Sequence, residues 1–243
     1  MIPQIIHYCW FGKGEMPELV KLCIASWTKH MPNWEYRLWS EENFDVKIAP
    51  QYVQEAYAAK KYAFVSDYVR LWALEREGGV YLDTDVEILR PFDPLLEDTA
   101  FIGLEESLAL LPGTCVMGCE AHCLWVKDML RTYDNAKFLR EDGTLDMTTN
   151  VQRMGRRMIE EGLLHERKIQ YLPQWGLRVY THDYFSPITS TRVMRKSKNT
   201  YCIHLFAGSW MDSKQNTWRN FWIIREGINI LVQLKRKLHI FTL

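Results

Sequence analysis

Apolar and polar residues along the first third of the chain predict strands and helices in alternation. Residues 2–8 are apolar and β-branched, which indicates a buried strand, and residues 17–31 carry apolar side chains at helical spacing. A second strand is predicted over residues 34–39. A long helical region is predicted over residues 52–77, with a break near the Lys60-Lys61 pair and an end at the following glycines.

Shorter elements are predicted further along. Strands are expected at residues 80–82, 86–89, 100–104, 114–117, 169–172, 179–180 and 201–205, and helices at residues 123–133 and 148–161. Because the early strands alternate with helices, we expect an α/β domain with a largely parallel sheet and helices on both faces. Ligands of such sheets bind outside the carboxyl ends of the strands, so residues that follow a strand are the first candidates for chemistry.

Composition and charge narrow the class of protein. The 243 residues fit one large domain or two small ones, and 47% of them are hydrophobic, so a sizeable core can form without disulfides. Thirty basic residues balance thirty acidic residues, which argues against a nucleic-acid-binding protein. The 10 tryptophans, 12 tyrosines and 10 phenylalanines favour flat ligands such as sugars or bases, in addition to core packing.

The beginning of the chain and its cysteines indicate a cytoplasmic protein. The first residues lack the basic and long apolar segments of a signal peptide, and no run approaches the ~18 apolar residues of a membrane span. The six cysteines are therefore expected to be reduced. Cys115, Cys119 and Cys123 with His122 suggest a zinc cluster, but their spacing and apolar flanks favour buried free thiols.

The tail differs in charge from the rest. Residues 214–243 hold six basic residues and one acidic residue, a formal charge of +5, and their apolar residues recur at helical spacing. The tail is predicted to be a helix packed on the domain or a basic amphipathic helix on an anionic membrane surface, which would place the protein at the inner face of the membrane. We therefore divide the chain into a domain at residues 1–212 and a C-terminal helix at residues 213–243.

The motif Asp83-Thr84-Asp85 directly follows an apolar predicted strand. Two carboxylates two residues apart on an extended segment point to the same side, where they repel each other unless a cation lies between them. Oxygen ligands of this kind suit Mg²⁺ or Mn²⁺. The alternative is a solvated acidic turn, which the apolar strand before the motif makes costly.

Two further patterns carry candidate chemistry. Asp67 and Arg70 lie at i and i+3 of a predicted helix, where they form a structural ion pair or present an acceptor and a forked donor to sugar hydroxyls. His204 follows a predicted strand and is a metal ligand or a structural histidine. Gly208 allows the next loop to bend, and Trp210 offers an indole N–H or packs in the core.

Five motifs together resemble a known family. They occur in the order IPQIIHYCWFG, a tryptophan pattern that begins at Trp27, AKKYAFVSDYVRL, GGVYLDTDVEIL and IHLFAGSW. The combination resembles the family 32 glycosyltransferases, whose members carry a DXD sugar-binding motif, and is more distantly similar to the glucosyltransferase domains of large clostridial toxins. The resemblance covers about residues 1–210 and leaves the tail uncovered.

The resemblance implies a GT-A-type, Rossmann-like fold, a nucleotide-sugar donor, a divalent metal (usually Mn²⁺) and retention of the anomeric configuration. It implies a catalytic set of Asp67, Arg70, Asp83, Asp85 and Trp210. In the donor site that the resemblance implies, Trp10 stacks on the nucleobase, Asp67 and Arg70 hold the donor sugar, and Asp83 lies near the ribose. The implied metal ligands are Asp83, Asp85 and His204. Ser209 and Trp210 are expected to close over the diphosphate, and Tyr8 and Thr84 complete the donor site.

Retention is expected to proceed by front-face attack. A covalent route needs a carboxylate on the far face of the sugar, for which Asp146, Glu105 and Glu106 are available without a marked spacing, whereas Asn150 could only stabilise positive charge. The sequence leaves UDP-galactose, UDP-glucose, UDP-N-acetylglucosamine and GDP-mannose open as donors, and the resemblance favours a UDP-sugar. The implied acceptor is a glycan or a lipid-linked glycan of capsule, O-antigen or other polysaccharide synthesis, held by about residues 105–200.

Two other functions remain open at this point. A metal-dependent, lectin-like module would bind sugars without catalysis, but it would have no use for a nucleobase platform at Trp10. A nucleotide hydrolase ranks last, because the chain lacks the G-x-x-x-x-G-K-[ST] phosphate loop.

Overall fold

The structure, a computed structural model, describes residues 1–106, 111–188 and 193–208. Its strands are β1 (Ile5–Cys9), β2 (Glu35–Trp39), β3 (Gly79–Leu82), β4 (Val86–Ile88), β5 (Ala100–Glu106), β6 (Leu111–Cys119), β7 (Gln170–Leu172), β8 (Leu177–Tyr180) and β9 (Cys202–His204). Its helices are α1 (Glu18–His30), α2 (Gln51–Ala58), α3 (Tyr62–Glu77), α4 (Leu124–Arg131) and α5 (Asn150–Glu160). The α/β class expected from the sequence is confirmed. The predicted helix at residues 213–243 lies outside the described residues.

Seven strands form the central sheet, in the order β2-β1-β3-β6-β5-β8-β7. The pairs β1–β2, β1–β3 and β5–β8 are parallel, whereas β3–β6, β5–β6 and β7–β8 are antiparallel. Strands β4 and β9 leave this sheet and pair with each other in antiparallel fashion. The chain passes from the large sheet to the small one between β3 and β4, which is where the DXD motif lies.

Helices cover both faces of the sheet, as predicted. Successive residues of β3 enter different hydrophobic clusters, because neighbouring side chains of a strand point to opposite faces. Val80 and Leu82 pack in the cluster that contains Trp27 of α1, and Tyr81 packs in the cluster formed with helices α2 to α5. The sheet therefore lies between two cores, and β3 is buried along its whole length.

The predicted break in the long helical region is confirmed between α2 and α3. Lys60 adopts a left-handed backbone conformation with φ of 57°, which ends α2 and redirects the chain into α3. At the other end of α3, Gly78 has φ of 65°, and a Cβ there would lie 2.6 Å from the backbone nitrogen of Ala121. Glycine is therefore required where α3 turns into β3.

The described residues separate into two units. Met1–His204 forms one compact unit, and a second begins at Leu205, of which the structure describes residues 205–208. The six cysteines are buried free thiols, as predicted. None of the described helices has both the length and the apolar composition that crossing a bilayer requires.

Candidate active site

The DXD motif lies at the carboxyl end of β3. The backbone N–H of Asp83 donates to the carbonyl of Cys115 at 2.9 Å, and the N–H of Val86 donates to the carbonyl of Asp83 at 3.1 Å. The second bond closes a turn over residues 83–86, so the extended geometry expected for Asp83 and Asp85 is wrong. The turn forms because the chain changes direction here to leave the large sheet for the small one.

Strand β4 is fixed immediately after the motif. The indole N–H of Trp27 donates to the carbonyl of Val86 at 2.7 Å, and the hydroxyl of Ser26 accepts from the N–H of Ile88 at 2.9 Å. Val86 also pairs with His204 in the β4–β9 ladder. Two anchors from α1 and one strand partner therefore determine where Asp85 is held.

The same pairing brings His204 to the DXD motif. Nε2 of His204 lies 3.4 Å from a carboxylate oxygen of Asp85, and one ligand atom each from Asp83, Asp85 and His204 lies within 4.8 Å of the others. Two carboxylate oxygens and an imidazole nitrogen are donors that Mn²⁺ accepts. The three residues predicted as metal ligands are therefore close enough in this structure to share one ion.

Arg70 joins two carboxylates on the other side of Asp83. Its Nη2 lies 3.0 Å from Asp67 and 3.3 Å from Asp83, its Nη1 donates to the carbonyl of Thr114 at 2.7 Å, and its guanidinium lies over the ring of Tyr81. The predicted Asp67/Arg70 pair is thus part of a larger group. We call Asp67, Arg70 and Asp83 the Arg70 cluster.

Burial and neighbouring charges together shift the pKa values of the ionisable groups in the site. Burial raises the pKa of Asp67 and of Asp83, against the opposing charge of Arg70. Burial alone would lower the pKa of Arg70, but Asp83, Tyr81 and Asp67 raise it above its ordinary value, so the guanidinium stays charged. Burial also opposes protonation of His204, yet Cys115 and Asp85 raise the pKa of this histidine well above its ordinary value.

Contacts that were not predicted from the sequence support the Arg70 cluster. The backbone N–H of Asn150 donates to a carboxylate oxygen of Asp67 at 3.0 Å, and its side-chain amide donates to the carbonyl of Asp67 at 2.6 Å. The hydroxyl of Tyr133 donates to Asn150 at 2.7 Å. Asn150 therefore positions Asp67, a contact not foreseen when it was considered only as a group that stabilises positive charge. The Thr149–Gln152 capping box could have marked this helix start.

The residues assigned to the donor site have definite positions, while their roles stay predictions. Trp10 follows β1, is half-buried, and donates its indole N–H to the carbonyl of Gly14 at 2.7 Å. Tyr8 packs edge-on against Trp27 with ring centres 5.3 Å apart, and Thr84 is half-buried in the DXD turn. Ser209 and Trp210 lie outside the described residues.

Two carboxylates considered as nucleophiles, Asp146 and Glu105, have different contacts. Asp146 is paired with Arg140 at 3.1 Å and with Arg153 at 2.9 Å, far along the chain from the DXD motif. Glu105 lies 3.6 Å from Nδ1 of His204. We call Asp85, His204 and Glu105 the His204 cluster.

Two groups of metal-binding side chains are gathered among the described residues. They are Asp83, Asp85 and His204, and Glu105, Cys115 and His204. The zinc cluster considered from the sequence, with Cys115, Cys119, Cys123 and His122, is not one of them. The His122 side chain is exposed and pairs with Glu75 at 3.2 Å.

Comparison with known families identifies the region that contains this geometry. Residues 17–102, which carry Asp67, Arg70, Asp83 and Asp85, match the model described as a glycosyltransferase sugar-binding region containing a DXD motif. This region therefore carries the sequence pattern of that family. The resemblance found in the motifs is thereby confirmed.

Curated relatives of this DXD glycosyltransferase region are fungal proteins. The chain is 36% identical over 104 residues to inositol phosphoceramide mannosyltransferase 3 of Schizosaccharomyces pombe, which covers 42% of the chain and 29% of that protein. It is 29% identical over 150 residues to mannosyl phosphorylinositol ceramide synthase SUR1 of Saccharomyces cerevisiae, a match that covers 57% of the chain and 37% of that protein. The matches thus span about a third of the length of these relatives.

Solved structures with related shapes are glycosyltransferases by description. The PaToxG glycosyltransferase matches with a TM-score of 0.45 at 16% identity, over 66% of this chain and 70% of that chain. A glycosyltransferase involved in glycosylation of the major capsid of PBCV-1 matches with a TM-score of 0.42 at 12% identity, over 84% of this chain and 94% of that chain. Similarities of this size do not define the donor or the acceptor.

Proposed function

We propose that this chain is a retaining, metal-dependent glycosyltransferase that moves a sugar from a nucleotide-sugar donor to a glycan or lipid-linked acceptor. The observation that carries the proposal is the position of Asp83. It contacts Arg70 on one side and lies within 4.8 Å of the donor atoms of Asp85 and His204 on the other. The Arg70 cluster and a candidate ion site therefore share one carboxylate.

Each part of this arrangement fits the proposed reaction. Asp83, Asp85 and His204 would hold Mn²⁺ or Mg²⁺, which would supply a Lewis acid for the negative charge that develops on the leaving diphosphate. Arg70 remains charged and holds Asp67 and Asp83 as oriented acceptors for hydroxyl groups of the donor. Trp10 would add base stacking worth about 1–3 kcal/mol.

Contacts of two of the three alternative nucleophiles support front-face attack, while the side chain of Glu106 lies outside the described part of the structure. Asp146 is paired with two arginines, and Glu105 faces the imidazole of His204. A carboxylate that attacks the anomeric carbon must instead face the sugar. The resemblance assigns Ser209 and Trp210 to the exclusion of water from the diphosphate, which would limit hydrolysis of the donor.

The proposed donor and acceptor rest on the resemblance and on the names of the curated relatives. A UDP-sugar is the donor implied by the resemblance, whereas the names of the curated relatives bring a mannosyl donor and a ceramide-linked acceptor into the same comparison. We therefore keep GDP-mannose beside the UDP-sugars as a candidate donor and retain the lipid-linked acceptor. A cytoplasmic role in polysaccharide assembly, with or without membrane contact by the tail, is part of the same proposal.

Hydrolysis of donors tests the proposal without knowledge of the acceptor. UDP-galactose, UDP-glucose, UDP-N-acetylglucosamine and GDP-mannose would each be incubated with the protein and Mn²⁺, with and without chelator. We expect slow release of nucleoside diphosphate from at least one donor. The variant Asp85→Asn should lower the hydrolysis rate roughly a thousandfold, which corresponds to a loss of about 4 kcal/mol of transition-state stabilisation.

The control is Asp142→Asn, because Asp142 is an exposed carboxylate bonded to Thr144 in a turn away from the motif. Its hydrolysis rate should equal that of the unmodified protein. Unchanged hydrolysis by Asp85→Asn would contradict the assigned metal role. Calorimetric binding of free sugars, with no heat from UDP or GDP plus Mn²⁺ and no hydrolysis, would favour the lectin-like alternative.

A further inference from the structure

An irregularity in the β5–β6 hairpin gives Glu105 an unusual position. Leu104 is opposite Pro112 and Glu106 is opposite Leu111, so two residues of β5 advance while β6 advances by one. Glu105 is the extra residue of this bulge. Bulges of this kind redirect a side chain and are common beside active sites.

The carboxylate of Glu105 is directed at the imidazole of His204. A carboxylate oxygen lies 3.6 Å from Nδ1, while Nε2 on the opposite side of the ring lies 3.4 Å from Asp85. The His204 side chain is only 11% exposed and that of Glu105 only 19%. The imidazole therefore lies between two carboxylates, one from the DXD motif and one from the bulge.

Space for this arrangement comes from the facing strand. A Cβ on Gly113 of β6 would lie 3.3 Å from Cγ of Glu105, closer than most Cβ contacts. Glycine at this position leaves room for the glutamate chain to lie beside the strand. The bulge and Gly113 together direct the Glu105 carboxylate towards His204.

We propose that Glu105 is a positioning residue whose carboxylate, 3.6 Å from Nδ1 of His204 in this structure, accepts a hydrogen bond from Nδ1–H when an ion is bound and so directs Nε2 to the ion held by Asp83 and Asp85. The inference rests on the proposed metal-dependent function. A histidine that ligates a metal generally donates its other ring N–H to a carboxylate, carbonyl or water, which fixes both ring orientation and tautomer. Loss of such a partner typically lowers metal affinity by 10- to 100-fold.

Cys115 offers the competing interpretation. Its sulfur is gathered with Glu105 and His204, so these three residues could instead form a separate site for a thiophilic ion such as Zn²⁺. The sulfur also lies 3.7 Å from the hydroxyl of Ser186. The positioning role requires no change at Cys115.

Mn²⁺ binding provides a readout that is independent of turnover. The full chain would be titrated with Mn²⁺ alone, and with Mn²⁺ plus UDP or GDP, while free Mn²⁺ is followed by electron paramagnetic resonance. Electron spin-echo modulation would report the coupling of bound Mn²⁺ to an imidazole nitrogen, with His204→Asn as the reference that lacks it. Glu105→Ala should weaken binding by 10- to 100-fold and diminish the nitrogen coupling. Glu105→Gln keeps an acceptor and should have a smaller effect in the same direction.

A matched control comes from another glutamate–histidine pair. Glu75 lies 3.2 Å from His122, and its side chain is 23% exposed, close to the exposure of Glu105. Glu75→Gln should leave Mn²⁺ affinity and nitrogen coupling unchanged. Thermal unfolding and circular dichroism of all variants would show that the effect does not come from loss of structure.

The outcomes separate this inference from the proposed function. Unmodified protein that binds Mn²⁺ with nitrogen coupling, while Glu105→Ala and Glu105→Gln bind it unchanged, would overturn the positioning role alone. Failure of the unmodified protein to bind Mn²⁺ under all three conditions would overturn the metal part of the function as well. Tighter binding of Zn²⁺ than of Mn²⁺ that is lost in Cys115→Ser would assign Glu105 to the competing site.

Discussion

Two groups of charged residues meet at Asp83–Asp85, and both place a basic side chain between two carboxylates. In the Arg70 cluster the base is a guanidinium between Asp67 and Asp83, and in the His204 cluster it is an imidazole between Asp85 and Glu105. A guanidinium keeps its charge and has five donors, whereas an imidazole can lose a proton and bind a metal. The charges of the Arg70 cluster are therefore balanced within the protein. The His204 cluster instead contains an imidazole that could release a proton and bind a metal ion.

The largest expected effect concerns removal of the guanidinium. Arg70→Met should lower the free energy of unfolding by about 3–5 kcal/mol, because breaking a buried ion pair leaves carboxylates without compensation. The carbonyl of Thr114 would also lose its donor. Urea unfolding followed by tryptophan fluorescence measures the change.

Arg140→Met is the matched control for that measurement. Arg140 also pairs with an aspartate, Asp146, at 3.1 Å, but its side chain is 53% exposed. An exposed pair contributes about 0–1 kcal/mol. Equal losses in the two variants would contradict the view that the Arg70 cluster is a buried and self-sufficient unit.

Much of the Arg70 side could be predicted from sequence because its signals are local. Asp67 and Arg70 lie three residues apart on α3, and the apolar β3 directly precedes Asp83. The contacts from Thr114 and Asn150 could not be predicted in this way, since they depend on how β6 and α5 pack against α3. Such contacts join residues that are distant in sequence, and no local pattern specifies them.

The His204 side depended even more on long-range structure. The sequence identified His204 as a strand-end candidate, but its approach to Asp85 follows from the β4–β9 register, which pairs Val86 with His204. The turn over residues 83–86 and the bulge at Glu105 were not predicted, because each arises where strands change partners. The antiparallel β5–β6 pair also departs from simple strand–helix alternation, since no helix separates these two strands.

A second histidine sharpens the comparison through its pH dependence. His7 is fully buried; its Nδ1 accepts from the indole N–H of Trp39 at 3.1 Å, and its Nε2 therefore donates to the carbonyl of Gly78 at 2.8 Å. Burial lowers the pKa of His7 to about 4, whereas the pKa of His204 is raised. Burial thus holds His7 neutral although a carboxylate oxygen of Glu77 lies 3.9 Å from its Nε2, whereas His204 favours its charged form between Asp85 and Glu105.

The sign of the pH effect follows from the lowered pKa. A histidine with a pKa of ~6.5 when unfolded and about 4 when folded contributes stability above pH 6.5, which is lost as the pH falls towards 4. The full loss is about 3 kcal/mol. Urea unfolding at several pH values should show this loss in the unmodified protein relative to His7→Gln, whose amide does not titrate.

Asp67 and Asp83 act in the opposite direction, because burial raises the pKa of both carboxyl groups. Their contribution favours the folded state as the pH falls, so the raw stability curve mixes the two effects. The difference between the unmodified protein and His7→Gln removes the shared aspartate contribution. A difference that stays constant from pH 7 to pH 4 would show that His7 does not resist protonation.

The smallest expected effect tests whether the Arg70 cluster needs all of its donors. Tyr81 donates its hydroxyl to Asp83 at 3.0 Å while its ring faces the guanidinium, and Tyr81→Phe removes the first contact but keeps the ring. A hydrogen bond to a charged group contributes about 1.5–3 kcal/mol, and Arg70 remains as a partner of Asp83, so we expect a loss near the lower limit. A double-mutant cycle with Asp83→Asn, measured by urea unfolding, isolates the contact, and a coupling energy below about 0.5 kcal/mol would show that Arg70 alone fixes this carboxylate.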